Sequence, residues 1–207
     1  MATLWLVPPI FRGKTVAILA GGSGMSMRVA DEVCAADIPA IAINNSYLLA
    51  PWADILVAND AGWWGAHPEA LKFAGIKFCA QTGCCPHPEV MELKNTGQRH
   101  DECGYDPDPA HIRTGSNSGY TAVHIAMQAG ARRILLCGMN MGGDNWHPPH
   151  EKPLRVTRQQ TYANWIRRFA TLVQPAAERG IEIINCTTGS ALKCFPAGDI
   201  ERYLYEE

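Results

Sequence analysis

The sequence predicts an open, mostly parallel α/β sheet of Rossmann-like winding, about six strands with helices on both faces. Three observations carry that prediction. Short runs rich in Val, Ile, Leu and Ala, such as Thr15–Ala20 and Arg133–Cys137, do not alternate polar with apolar, as expected of parallel strands buried on both faces. Segments of helical periodicity separate them, as βαβ crossovers require. Glycine-rich and polar residues follow the strands, at the carboxyl edge where such sheets take their ligands.

The elements follow in order. A strand over Thr15–Ala20 leads through Gly21–Gly24 into a helix over Ser26–Ala36. A strand over Ala40–Asn44 ends in Asn45-Ser46, and another over Asp54–Ala58 ends in Asn59-Asp60. A helix over Gly62–Phe73 and a strand over Ile76–Ala80 come next. An irregular insertion spans about 82–113. A helix over Asn117–Gly130 then feeds the strand Arg133–Cys137. The loop Asn140–Arg155 precedes the longest helix, Thr157–Arg179, then a strand over Ile181–Cys186 and a short helix near Asp199–Tyr205. Loops as long as 82–113 and 140–155 over a ligand edge are often lids.

With 207 residues, 47% of them apolar, the chain is expected to form one domain over 1–207. A formal net charge of -2 leaves no basic footprint for nucleic acid. Apolar runs are strand-length, short of the roughly 20 residues that span a membrane. The first residues lack the charged and apolar regions of a signal peptide, so a cytoplasmic location is expected; homo-oligomerisation is left open. Of eight cysteines, Cys34, Cys137 and Cys186 lie in apolar segments and read as core thiols. Cys79, Cys84, Cys85, His87, His100 and Cys103 form a loose cluster without regular zinc spacing, and reduced thiols are the favoured reading.

Two turns suit an anion. Gly21-Gly22-Ser23-Gly24 follows the first strand, and Asn117-Ser118-Gly119 opens a helix, whose first N–H groups and dipole favour phosphate. Neither the dinucleotide fingerprint nor the P-loop ending is present, so the first turn reads equally as a tight strand-to-helix connection. Asn45 and Asp60 stand at neighbouring strand ends, Asp60 able to hold a hydroxyl, act as a base, bind Mg2+ or cap the next helix. His67 lies four residues after Trp63 on one helix face; it is a general acid or base or a core histidine. Of Trp63 and Trp64, one is expected in the core and the other lining a pocket or stacking on a ring. His147 and His150 lie in the loop after the fifth strand and read as a catalytic-loop pair better than as metal ligands. His124, inside a helix, reads as structural. No acyl-transfer nucleophile stands out, so displacement at a phosphate or an activated sugar is favoured.

The Ala-Gly-Gly-Ser-Gly turn, Pro51-Trp52-Ala53-Asp54, Asn59-Asp60 with Trp63-Trp64 and His67, Gly115–Tyr120 and Asn185–Leu192 together resemble a family of tailed-phage and prophage proteins of unassigned function. More distantly the skeleton is similar to the 6-hydroxymethylpterin pyrophosphokinase-like (MptE-like) Rossmann family and to bacterial α-2,3/2,8-sialyltransferases. The sialyltransferase resemblance implies that Gly22, Ser23, Asn45, Asn59 and Ser118 contact a nucleotide monophosphate donor, with His147 or His150 as general base. The turn lacks that family's Asn-Gly-Pro-Ser form, and the His147 loop has no tyrosine pair. The pyrophosphokinase resemblance implies ATP and Mg2+, with metal roles for Asp60 and Asp144. The expected function is a nucleotide-dependent transferase, foremost of a glycosyl group from a nucleotide-sugar. Mg2+-dependent diphosphate transfer and non-catalytic ligand sequestration are the alternatives.

Overall fold

The computed structural model describes residues 5–80, 83, 85–97, 103–149, 154 and 157–205. Its centre is a parallel sheet, flanked by helices, built from β1 (Thr15–Leu19), β2 (Ala40–Ile43), β3 (Ile55–Val57), β4 (Ile76–Cys79), β5 (Met91–Glu92), β8 (Arg133–Cys137) and β9 (Glu182–Asn185). Two short strands, β6 (Lys94–Asn95) and β7 (His111–Ile112), pair apart from it. The order across the sheet is β5-β4-β3-β2-β1-β8-β9. Winding therefore runs outward from β1 and returns to its other side at β8. That places the topological switch between β1 and β8, where crevices form at the carboxyl edge.

Alternation within each strand decides what covers each face. Val16 and Ile18 of β1, Ile41 and Ile43 of β2, and Ile134 and Leu136 of β8 face one cluster. It is completed by α3 (Ser118–Gln128) and by Phe169, Leu172 and Ala176 from the run α4 (Gln159–Phe169) to α5 (Val173–Glu178). Ala17, Leu19, Ala42, Leu56 and Leu135 face the other cluster, under α1 (Met27–Ala35), α2 (Ala61–Ala66) and α6 (Ile200–Tyr203). Both faces are dry, which is why the strand sequences are continuously apolar.

Prolines account for two differences from the sequence reading. The helix expected over Gly62–Phe73 ends at Ala66, because Pro68 drives His67 out of helical geometry (φ -127°, ψ 63°). A 3-10 segment, Pro68–Lys72, follows. The helix expected over Thr157–Arg179 passes through the 3-10 turn Ala170–Leu172 just before Pro175, which has no N–H and crowds the preceding turn. The insertion is also less irregular than its composition implied. Met91–Glu92 adds a seventh strand, paired to β4, and Trp5 donates its N–H to the Glu92 carbonyl outside it.

A buried imidazole ties the rest of the insertion to α3. His124 is fully buried, and its Nε2 accepts the Asp106 N–H at 2.9 Å. Gln128, one turn on, donates through its amide nitrogen to the carbonyls of Asp106, Asp108 and His111. Tyr120 adds its hydroxyl, which accepts the Gly104 N–H at 2.6 Å. Desolvation lowers the His124 pKa to about 3, against the opposing pull of Asp106. The folded pKa is thus below the unfolded one, so the unfolded chain takes up the proton first. Stability contributed by neutral His124 is complete above pH 6.5 and is lost as pH falls from there toward 3. Between pH 6.5 and 5 that loss is about 2 kcal/mol. His124→Gln keeps an acceptor without titrating in that range, and its urea-unfolding stability should lose that part of the pH slope. An unchanged slope would remove His124 as its source.

Candidate functional site

The carboxyl edge is organised by the turn after β1 and the turn after β8. Gly22 donates its N–H to the Gly138 carbonyl at 2.9 Å, and Ser23 donates to the Asp144 carbonyl at 2.9 Å. Gly24 donates to Oδ1 of Asn140 at 3.0 Å, and Met25 donates to the Gly22 carbonyl. The amides of Gly22, Ser23, Gly24 and Met25 are thus satisfied inside the chain. The glycines have a packing reason too. A Cβ on Gly22 would lie 2.3 Å from Asn140 Oδ1 and 2.5 Å from the Gly138 carbonyl, and one on Gly24 would lie 2.9 Å from a Thr187 methyl. Gly21 differs, since its Cβ would meet only His147 Nε2 at 3.4 Å and looser neighbours.

The segment Asp144–His147 lies along this turn as a strap. Gly22 and Asn145 form an antiparallel bridge, and Trp146 donates its N–H to the Gly21 carbonyl at 3.1 Å. The Trp146 ring reaches over to the segment Asn44–Leu48 that follows β2, its Nε1 at 3.4 Å from the Ser46 hydroxyl. His147 is consequently buried, with Nδ1 at 2.7 Å from the Pro148 carbonyl. A ring nitrogen at that distance bonds a carbonyl only when protonated, so the neutral imidazole carries its lone pair on Nε2, beside Gly21. His150 lies outside the described residues.

Asn45 and the tryptophans form a second group. Asn45 Oδ1 accepts the Trp63 Nε1–H at 3.0 Å, and Trp64 donates to the Ala58 carbonyl at 3.0 Å. Both indoles are buried, against the expectation that one would line a pocket. Their rings meet edge to face at 5.1 Å. The short α2 is wedged between the sheet and the segment Asn44–Leu48, so two adjacent side chains 100° apart both point inward. His67 stacks on Trp63 at 4.4 Å with Nδ1 at 2.9 Å from the Trp63 carbonyl. Asp60 stands at the N-cap position of α2, but its side chain makes no capping bond and is exposed.

The start of α3 forms the third group. Asn117 caps it, accepting the Tyr120 N–H at 3.1 Å. The N–H groups of Ser118 and Gly119 find no acceptor among the described residues. Ser118 Oγ accepts the Asn59 N–H at 3.3 Å, which joins this helix start to the end of β3. Oδ1 of Asn59 is buried there without a partner, and a buried polar atom in that state is costly. Backbone strain gathers at the same edge. Of the non-glycine residues with left-handed φ, Asn44 (47°), Ser116 (53°) and Met141 (55°) all follow strands or precede α3 here, and such strain persists where the surroundings enforce it.

Sequence reasoning thus placed Gly21, Gly22, Ser23, Gly24, Asn45, Asn59, Asp60, Asn117, Ser118, Gly119, Asp144 and His147 along one edge, in three linked groups. It grouped Thr187–Ser190 with the polar strand ends without assigning their role as the scaffold beneath this edge. Thr187 Oγ1 accepts the Met139 N–H at 2.9 Å, and Ser190 Oγ donates to the Met139 carbonyl at 2.6 Å. The Thr and Ser after β9 were the available signal, since hydroxyls in a tight loop serve backbone groups. Among the described residues no three His, Cys, Asp or Glu are grouped to hold a metal, and Cys84 and His100 of the loose cluster lie outside them. Asp60 and Asp144 are both exposed.

No family model matches the chain, and no curated protein matches it in sequence. Among solved structures, a D-allulose 3-epimerase from Methylomonas sp. is similar over 84% of this chain at 14% identity, with a TM-score of 0.22. This chain spans 51% of that epimerase's length.

Replacing Gly22 by Ala should destabilise the protein by about 1–3 kcal/mol in chemical denaturation, the usual cost of forcing atoms into a packed site. Gly21→Ala should cost well under half as much. Equal effects would show that the turn can relax away from Asn140.

Proposed function

We propose that the carboxyl edge binds a nucleotide and that the protein is a nucleotide-dependent transferase, foremost of a glycosyl group from a nucleotide-sugar. The observation that carries this reading is the start of α3, with its two unengaged N–H groups beside the orphaned Asn59 amide oxygen. Two convergent N–H groups and a helix dipole favour a phosphoryl oxygen. An unpartnered amide oxygen wants a donor such as a sugar hydroxyl or a base amine. One ligand satisfying both carries phosphate and hydroxyl or amine groups together, as a nucleotide does.

In this reading Ser118 and Gly119 hold the phosphate, and Asn59 orients the adjacent part of the ligand. Gly21–Gly24 serve as the rigid floor that positions the strap rather than as the cradle itself. His147 acts as the base through Nε2, its tautomer set by the Pro148 carbonyl. Taking a proton from an acceptor hydroxyl there raises that oxygen's nucleophilicity as the glycosyl–phosphate bond breaks, with the nucleotide leaving as its phosphate.

A thermal-shift series with CMP, CTP, UDP and ATP, each with Mg2+ or EDTA, tests the reading. Binding to the native state raises the melting temperature by mass action, about 2.7 kcal/mol of added stability at one hundred times Kd. The expected outcome is a metal-independent rise with a pyrimidine nucleotide, weakened in Asn59→Ala, which removes the orphaned amide oxygen and keeps the backbone N–H groups. His147→Ala should keep the rise and lose transfer. Asn45→Ala is a poor probe, because it strands the buried Trp63 N–H. Absence of any rise with all four nucleotides would remove the nucleotide premise.

Asp60 favours a second reading, Mg2+-dependent diphosphate transfer from ATP. It occupies an N-cap position, yet its carboxylate is turned to solvent instead of capping. A rise with ATP alone, dependent on Mg2+ and abolished by Asp60→Asn, would select that reading over glycosyl transfer.

A further inference from the structure

Cys79 and Cys85 meet at the carboxyl end of β4, and one buried carboxyl group brings them together. Cys79 closes β4 and is paired in register with Glu92 of β5. Glu92 is buried, and both its oxygens hold the returning loop. Oε2 accepts the Gly83 N–H at 2.6 Å, and Oε1 accepts the Cys85 N–H at 3.0 Å. The chain is thereby folded back on the strand it has just left, and the Cys85 sulfur hydrogen-bonds with the Cys79 thiol. Both residues are thiols.

The two sulfurs differ in access and in what they touch. Cys79 is 1% exposed and donates its S–H to the Asn59 carbonyl at 3.3 Å. Cys85 is half-buried, so a reagent reaches it first. Burial pushes the Cys85 thiol up from its ordinary value, against the His87 N–H and the Cys79 thiol, which bond to its sulfur and pull the other way. Neighbouring Glu92 and Glu89 add to the rise. Cys85 thus keeps its proton at neutral pH and reacts slowly, because the thiolate is the nucleophile. What favours the pair is closure: a loop whose ends already meet has little further closure entropy to lose.

We propose that Cys79 and Cys85 are a redox-active pair that closes to a disulfide under a low-molecular-weight disulfide oxidant. The Cys85 sulfur attacks one sulfur of the oxidant, whose S–S bond breaks and releases one thiol. The Cys79 sulfur then attacks the Cys85 sulfur of this mixed disulfide and releases the second thiol. The two cysteine protons end on the two released thiols, so the pair loses two electrons and the oxidant gains them. Closure takes from the Asn59 carbonyl its S–H donor, at the residue whose N–H reaches Ser118 and whose amide oxygen lacks a partner. Control of ligand binding through Asn59 rests on the proposed function; the disulfide itself does not.

The test is to equilibrate the intact protein in glutathione redox buffers, alkylate it, cleave it after lysine and weigh the peptides. In a Cys84→Ser variant the peptide 78–94 carries only Cys79 and Cys85. Its unalkylated form, lighter by two hydrogens than the dithiol, is expected to replace the doubly alkylated one in a single transition. Glu92→Gln should shift that transition about fivefold toward reduction, the worth of one hydrogen bond. The Asn59 N–H resonance should move on oxidation with no nucleotide present, so a failed nucleotide titration leaves this outcome readable. No loss of hydrogens at any buffer ratio overturns the proposal, as does a transition indifferent to Glu92→Gln. Pairing of either cysteine with Cys84 in the unsubstituted chain overturns it too, and an unmoved Asn59 resonance overturns the coupling.

Discussion

The close approach of the Gly22 turn to Gly138–Asn140 is the constraint on which the whole carboxyl edge depends. β1 and β8 are adjacent only because the chain reverses its winding between them. Their ends must therefore pass each other at backbone-contact distance, and only glycine permits that at position 22. Asn140 then reaches across to cap Gly24. Thr187 and Ser190 hold Met139 from below, so the turn after β8 is fixed from two sides. The strap carrying His147 has its position from the same turn, through Ser23 and Gly21.

This arrangement changes what the glycine turn is for. A Gly-Ser-Gly segment after the first strand of such a sheet reads as an anion cradle, but here each amide meets an acceptor from its own chain. In the proposed reading the anion site is the start of α3, where two amides remain and an Asn59 oxygen is buried without a donor. The two starts look alike in composition. They differ in what the tertiary structure packs against them.

Hydrogen bonding at long sequence separation also explains the insertion. Part of its backbone bonds to α3 rather than to itself, and a buried loop with unsatisfied groups would be costly. His124, Gln128 and Tyr120 supply those partners from one helix, spaced four residues apart on the face toward the insertion. A polar stripe on an otherwise buried helix is thereby accounted for. It serves to anchor the loop, consistent with the structural reading of His124.

Local sequence determined the six longer strands of the sheet, their parallel pairing and the polar character of their carboxyl ends, while the two-residue β5, β6 and β7 lay in the segment read as irregular. Each rests on short-range properties: apolar runs, helical periodicity and turn residues. The prolines were present but not read as breaks: both long helical patterns were run through Pro68 and Pro175, and the chain divides just before each of them. Tertiary structure alone decided that both Trp63 and Trp64 are buried, that Asn45 holds an indole, and that Asn140 fills the space beside Gly22. Those contacts join residues 18 to 118 positions apart in the chain, and no local pattern encodes a partner at that distance. The sequence names the groups at the edge; the switch in winding decides which of them meet and which remain open to a ligand.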